Sequence, residues 1–478
     1  MPYPGSKRRA AVQGRVAQPS FGSVFHSRLV LLVAFAFAVM ADPVSSVAYA
    51  IEAGLRALHG HLHLLVPTMG LVVGIIFLVR LNYTQLIRRF PQGGGSVAAT
   101  AVAFGEGWAF APLGALIVDF VLTIAISTAA AASAVIALIP SVAPHRTLIA
   151  LALTTFVAGL TWYGHGGRSV FALMTAAFIA VGFVISAVGF AAPHTAVFRQ
   201  HLPATGSASL LTVLLAFPVA MALATGVEAP SSAIAQLGQL DDASRERFGR
   251  ITLWLTFAFE GSLTAFITFL AVRLRVGIPG RDSTMIADVA QGSVGRGTLF
   301  ALFQFTSSLL LLAAAASSFQ AGPGLLKALA RRETGHGRGS VGFLPAALGR
   351  VNRHHTPYWS VFLYLIASGL VVTAAGGRDQ ELVLFYAVAV FVAFLSALLA
   401  MAKFSRQAGS RLNYSVNLFG AAVVVFTILV NLRRGYPIFS LLAGAGIALG
   451  LYALWVRSGR PRGVADAQAQ AERALGSR

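Results

Sequence analysis

Cysteine is absent from this 478-residue chain, which excludes a disulfide framework and any thiol chemistry. Charge is scarce too. Charged residues make up 11% of the sequence, against about 25% in ordinary soluble proteins, while 56% of it is hydrophobic and mean hydropathy is +0.75. A water-soluble enzyme or binding domain is excluded by that balance. Acids are the scarcest charged class, 16 Asp and Glu against 36 Lys and Arg. The sequence offers no GK[ST] phosphate loop, no nucleophile–base pair and no transition-metal motif, so neither catalysis nor a cofactor is expected.

What the chain has is apolar length. About twelve candidate spans fall at 29–57, 64–81, 108–138, 147–163, 169–192, 208–236, 251–273, 297–326, 357–375, 380–403, 414–432 and 436–456. Runs of about 17–25 apolar residues without period-two alternation predict helices and not barrel strands, hence an all-α polytopic membrane protein in a lipid bilayer. The polar lead, residues 1–26 with Lys7, Arg8, Arg9 and Arg15, reads as a cytoplasmic tail and not as a cleaved signal. Residues 27–403 form the expected core, 404–456 two accessory spans, and 457–478 a tail of small and charged residues expected to be disordered or a frayed helix. With both termini in the cytoplasm, most lysines and arginines fall in internal loops, as the positive-inside rule favours. That distribution accounts for the net charge of +20 without nucleic acid, although Arg433 and Arg434 fall on the wrong side. A cell-membrane location follows, and a homodimer is compatible with it.

The informative residues are acids inside spans. The stretch AFAVMADPVSSVAY, residues 36–49, places Asp42 and Pro43 where the hydrocarbon centre should be. A carboxylate at that depth costs roughly 2.5–3.5 kcal/mol on insertion scales, so Asp42 is expected to face a cavity or ligand. Pro43 cannot donate a backbone hydrogen bond and disfavours helical geometry at Asp42, so the helix is expected to break there. Span six carries Thr225-Gly226-Val227-Glu228-Ala229-Pro230, again an acid between breakers. Two spans broken near an acid, five spans apart, are the pattern of an inverted five-plus-five repeat with its site between the breaks.

Span three adds Asp119, Thr123 and Ser127 at four-residue steps, one face of one helix. A carboxylate with two hydroxyls offers hard oxygen ligands for an alkali cation or a proton relay; hydroxyls bonded back to their own helix carbonyls are the alternative. Glu260 in span seven shows no partner in sequence and is either a secondary site or a structural acid. No Lys or Arg is expected comparably deep, so the acids must be protonated or neutralised by a bound cation. Glu52 and Glu106 are expected near the interfaces. The run His59-Gly60-His61-Leu62-His63 could bind metal or sense pH but reads first as a solvated loop, as do His354 and His355. Pro91-Gln92-Gly93-Gly94-Gly95 reads as a flexible or tightly packed hinge, and Asp241–Arg250 as a short amphipathic helix.

The stretches DPVSSVAY, PQGGG, VDFVLT and TGVE, with LP…GRVN…TPYW in the loop before span nine, resemble the amino acid–polyamine–organocation superfamily. Within it the chain is most similar to potassium–proton symporters of the KimA and KUP group. The resemblance implies a LeuT-type fold with spans one and six broken. It implies a potassium site shared by Asp42, Tyr49, Asp119, Thr123, Ser127 and Thr225, with Glu228 as the proton-coupling acid and the proton as coupling ion. Phe120 departs from the family, which has a tyrosine there, and no appended soluble domain is expected. The expected function is therefore proton-coupled import of a small cation, potassium first. An amino acid or polyamine permease and a non-transporting sensor or scaffold are the rivals.

Overall fold

The computed structural model describes residues 21–164, 168–194, 203–206, 208–331, 342–435 and 437–476. The basic lead with Lys7, Arg8, Arg9 and Arg15, and the middle of the Arg331–Thr356 loop, lie outside the described residues. The chain is all helical there, as its apolar runs require, because a backbone in lipid must satisfy its own hydrogen bonds. Span one comprises α1 (Phe21–Val39), α2 (Ala41–Ser45) and α3 (Val47–Ala57). α4 (Leu65–Arg89), α5 (Gly95–Phe104), α6 (Phe110–Leu138), α7 (Arg146–Trp162) and α8 (Arg168–Ala191) complete the first half. The second half runs through α9 (Leu210–Ala220), α10 (Ala229–Ala233), α11 (Asp242–Arg273), α12 (Met285–Val294), α13 (Thr298–Leu329), α14 (Tyr358–Ala374) and α15 (Asp379–Gln407). α16 (Arg411–Arg433), α17 (Pro437–Arg457) and α18 (Ala467–Gly476) follow.

Ten of the described helical segments are long and apolar enough to cross a membrane. Span one, in its three pieces, and the 17-residue α14 complete the expected twelve. Each half also carries one short helix between its second and third spans, α5 and α12, which the apolar runs did not announce. They lie at opposite ends. α5 packs beside α18 at what is termed here the tail face, whereas α12 receives Glu52 of α3 at the opposite face through Met285 N, at 2.9 Å. That antisymmetry is what an inverted repeat demands. α6 and α13, the third span of each half, run together through the core.

Several boundaries differ from expectation for physical reasons. The segment Asp241–Arg250 is not a separate helix: Asp241 caps α11 by accepting from Ser244 N at 3.4 Å, and α11 runs unbroken into span seven. The glycine hinge is tightly packed, since a Cβ on Gly93 would lie 2.7 Å from Ala235 Cβ. The tail is ordered as α18, whose Ala467, Gln468, Ala469, Ala471 and Glu472 are buried, so disorder or fraying is overturned. Small side chains, which lowered its apparent capacity to fold, let it approach its neighbours closely. Arg434 donates to Leu215 O, so its position reflects a bond that ties α16 to α9.

Candidate functional site

The two interrupted spans meet at their interruptions. Span six opens fully: after a tight 3-10 turn over Met221–Ala224, Thr225 is extended, and Gly226 takes φ +71°, a left-handed geometry that favours glycine. Pro230 then starts α10, where its missing N–H costs nothing. Span one is disturbed more gently. The irregular residues are Met40 and Ser46, one on each side of the expected break, and Asp42-Pro43 occupies the first turn of the five-residue α2. Proline is tolerated there for the same reason.

The absence of a side chain at Gly226 matters directly. A Cβ there would lie 2.7 Å from Asp42 Oδ2 and 2.9 Å from Pro43 Cδ, so the Asp42 carboxyl rests on the Gly226 backbone. Ser46 Oγ bridges the same junction, 3.0 Å from Leu223 O. Tyr49 stands two helical turns above Asp42 and lies within Coulombic reach of it. The Thr225 hydroxyl donates to Ala222 O at 2.6 Å, which leaves its lone pairs available. Asp119, 3% exposed on α6, lies within Coulombic reach of both Asp42 and Glu228.

Thr123 and Ser127 share the Asp119 face and are buried, and their hydroxyls have no hydrogen-bond partner. Their neighbour Thr128 shows the other behaviour: it bonds back to Ile124 O at 2.9 Å and receives Thr154 Oγ1 at 2.9 Å. Like Thr123 and Ser127, and unlike Thr128, Asp42 Oδ1, Tyr49 OH and Glu228 Oε2 have no hydrogen-bond partner. Buried polar atoms are ordinarily paired, so these oxygens on spans one, three and six are candidate ligands.

Glu260 is positioned differently. Its carboxylate receives Arg80 Nη2 at 2.6 Å, and Arg80, 0% exposed, also donates to Leu253 O at 2.6 Å. The expectation that no basic residue lies deep is therefore corrected. The expected span ended at residue 81, but α4 continues to Arg89 and carries Arg80 inside. Glu52 bonds Arg56 at 2.8 Å as well as the start of α12, and Glu106 receives Gly463 N at 3.0 Å. His61 and His63 meet ring to ring at 5.8 Å, and no group of three metal-binding side chains occurs among the described residues.

Two residues near the site were missed. Tyr83 and Tyr364 are fully buried with unpartnered hydroxyls, both within Coulombic reach of Asp119, and Tyr83 also of Glu228. Tyr83 lay beyond the expected end of span two, where an aromatic reads as an interface anchor.

A cavity of about 430 Å³ runs from Asp42 and Glu228 toward the tail face, between Phe120, Ser232, Gln236 and Ser318. At the opposite face a wider vestibule of about 1310 Å³ stops at Glu52, Ser133, Asp379 and Gln380. A polar layer forms part of the vestibule wall. Ser133 donates to Asp379 at 2.6 Å, Arg146 to Ser133 at 2.5 Å, and Gln380 to Tyr49 O at 3.3 Å.

Residues 30–437 match the family described as amino acid permease. Among curated proteins, the potassium transporter KimA of Bacillus subtilis (strain 168) is 28% identical over 367 residues, covering 74% of this chain. The chain spans 58% of that relative's length. Both the family and the relative are membrane transporters. With a match that takes in nearly all of the membrane region and both interrupted spans, the chain belongs to the amino acid permease family of the amino acid–polyamine–organocation superfamily.

Proposed function

We propose that this chain is a proton-coupled secondary active transporter that imports a small cation, with potassium as the first choice. The observation that carries the reading is a set of buried oxygens without partners on spans one, three and six. Asp42, Tyr49, Thr123, Ser127 and Glu228 all contribute atoms without hydrogen-bond partners, and Asp42 and Glu228 make no ion pair among the described residues. Oxygen ligands from carboxyls and hydroxyls replace the hydration shell of a hard cation. KimA, a potassium transporter by name, supports the choice of ion.

In this reading Asp42, Asp119 and Thr225 hold the cation from two sides, with Tyr49, Thr123 and Ser127 as further oxygens. Glu228, on the cavity wall, takes a proton from the uptake side and releases it on the other. Rocking of one helix bundle against the other alternates access, and the Gly226 turn lets span six flex at the site. The tail face is placed in the cytoplasm, as the basic loops favour. The deciding experiment is flux in proteoliposomes with rubidium as tracer, with and without a pH gradient. Glu228→Gln should abolish concentrative, proton-driven uptake while leaving rubidium binding measurable. Full proton-driven accumulation by that variant would remove Glu228 from the role.

Uptake of a cationic amine or amino acid is the second reading. Phe120, an aromatic in place of a hydroxyl-bearing ring, lines the cavity and offers an organic cation a ring face instead of an oxygen ligand. The family description points the same way. Competition of labelled putrescine and amino acids against rubidium in the same vesicles separates the two.

A further inference from the structure

The cavity beneath Asp42 and Glu228 is covered where it reaches the tail face, and the cover is the chain's own last helix. Gln468, Glu472 and Leu475 of α18 form part of the cavity wall together with Ser232 and Gln236 of span six. The seat is specific on every side. Gln236 Nε2 donates to Glu472 Oε2 at 2.6 Å, and Gly476 packs so closely on the Gln236 carbonyl that no Cβ could be accommodated. On the far side Ala471 rests on α13 at Gly324, where a Cβ would lie 3.6 Å from Ala471 Cβ. The glycine hinge closes the third side, since a Cβ on Gly95 would come within 3.2 Å of Gln468 Oε1. Just before the helix, Glu106 holds the turn at Gly463 N.

The consequence follows from what these contacts join. Gln236 belongs to broken span six, and Gly324 to α13 of the surrounding helices. Alternating access in such folds moves one of these bodies against the other around the site. A helix bonded to both holds their spacing fixed, and a cation leaving Asp42 toward the tail face meets it.

We propose that α18 is an autoinhibitory plug: it closes the tail-face mouth of the cavity and staples span six to span eight, so the path opens on that face only when the helix leaves its seat. The effect on flux rests on the transport reading above, whereas the seat does not. The double variant Gly324→Cys/Ala471→Cys tests it, because 3.6 Å lies in the disulfide range of about 3.5–4.5 Å between Cβ atoms and the chain has no other cysteine. Oxidation of the double variant in proteoliposomes should abolish rubidium flux, dithiothreitol should restore it, and the single variants should respond to neither. Unchanged flux through the cross-linked protein overturns the proposal, as does failure of the disulfide to form under oxidant. A second arm is independent of substrate. Ala321→Cys, on the cavity wall, should react several-fold faster with a charged maleimide when Ala471→Trp wedges the helix away, and an equal rate overturns the plug. If reduced protein carries no rubidium but this labelling difference is present, the potassium reading fails and the plug stands.

Discussion

Gly226 is the residue on which the site depends most directly. Its φ of +71° and the 2.7 Å approach of Asp42 Oδ2 to where a Cβ would be leave no room for substitution. Gly226→Ala should cost about 1–2 kcal/mol of backbone strain and displace the Asp42 carboxyl. Rubidium flux should therefore fall far more than the folded yield, as measured by uptake against size-exclusion recovery. The hydroxyls of α6 provide an internal comparison. Thr123→Ala and Ser127→Ala each remove an oxygen with no other partner and should raise the KM for rubidium several-fold. Thr128→Ala removes a hydroxyl already bonded to its own helix and should change KM little. Equal effects at all three positions would argue that the stripe is only a packing face.

At the scale of elements, the helices were legible from apolar length because lipid admits few alternatives. The acids Asp42, Asp119 and Glu228 were legible because an acid in hydrocarbon is costly and so needs a reason. Their convergence on one junction was inferred from two broken spans, and the Gly226–Asp42 contact gives that inference its geometry. What was not legible depended on helix ends and on long-range partners. Arg80 fell at the expected end of span two and Tyr83 beyond it, because the apolar run fades before α4 does, and no spacing rule connects Arg80 to Glu260. The tail escaped for the converse reason: α18 owes its order to the surfaces beneath it, not to its own composition. The Arg80–Glu260 pair has a measurable consequence for α4 and α11. Arg80→Met alone leaves a buried carboxyl without its partner and should destabilise by roughly 3–5 kcal/mol, whereas Arg80→Met/Glu260→Gln should recover most of that loss. Thermal inactivation in detergent reads both, and equal damage from the single and double variants would show that the pair is not the source of stability.

The whole molecule presents a wide vestibule on one face and a cavity under a helical cover on the other. Its proposed orientation places the covered face in the cytoplasm, where the basic loops lie. The cysteine-free sequence makes this simple to check. Ser283→Cys, in the vestibule, should be labelled in intact cells by a membrane-impermeant thiol reagent, whereas Ala465→Cys should react only after permeabilisation. The reverse pattern would invert the molecule and put the covered face outside the cell.

The packing of Gly476 against Gln236 also makes this glycine a lever on the resting state of the molecule. A bulky side chain there would press on the Gln236 carbonyl at the tightest point of the α18 seat. In the plug reading, Gly476→Trp loosens the helix without touching the cavity itself. Labelling of Ala321→Cys should therefore quicken in that background, and an unchanged rate would show that the seat tolerates the strain.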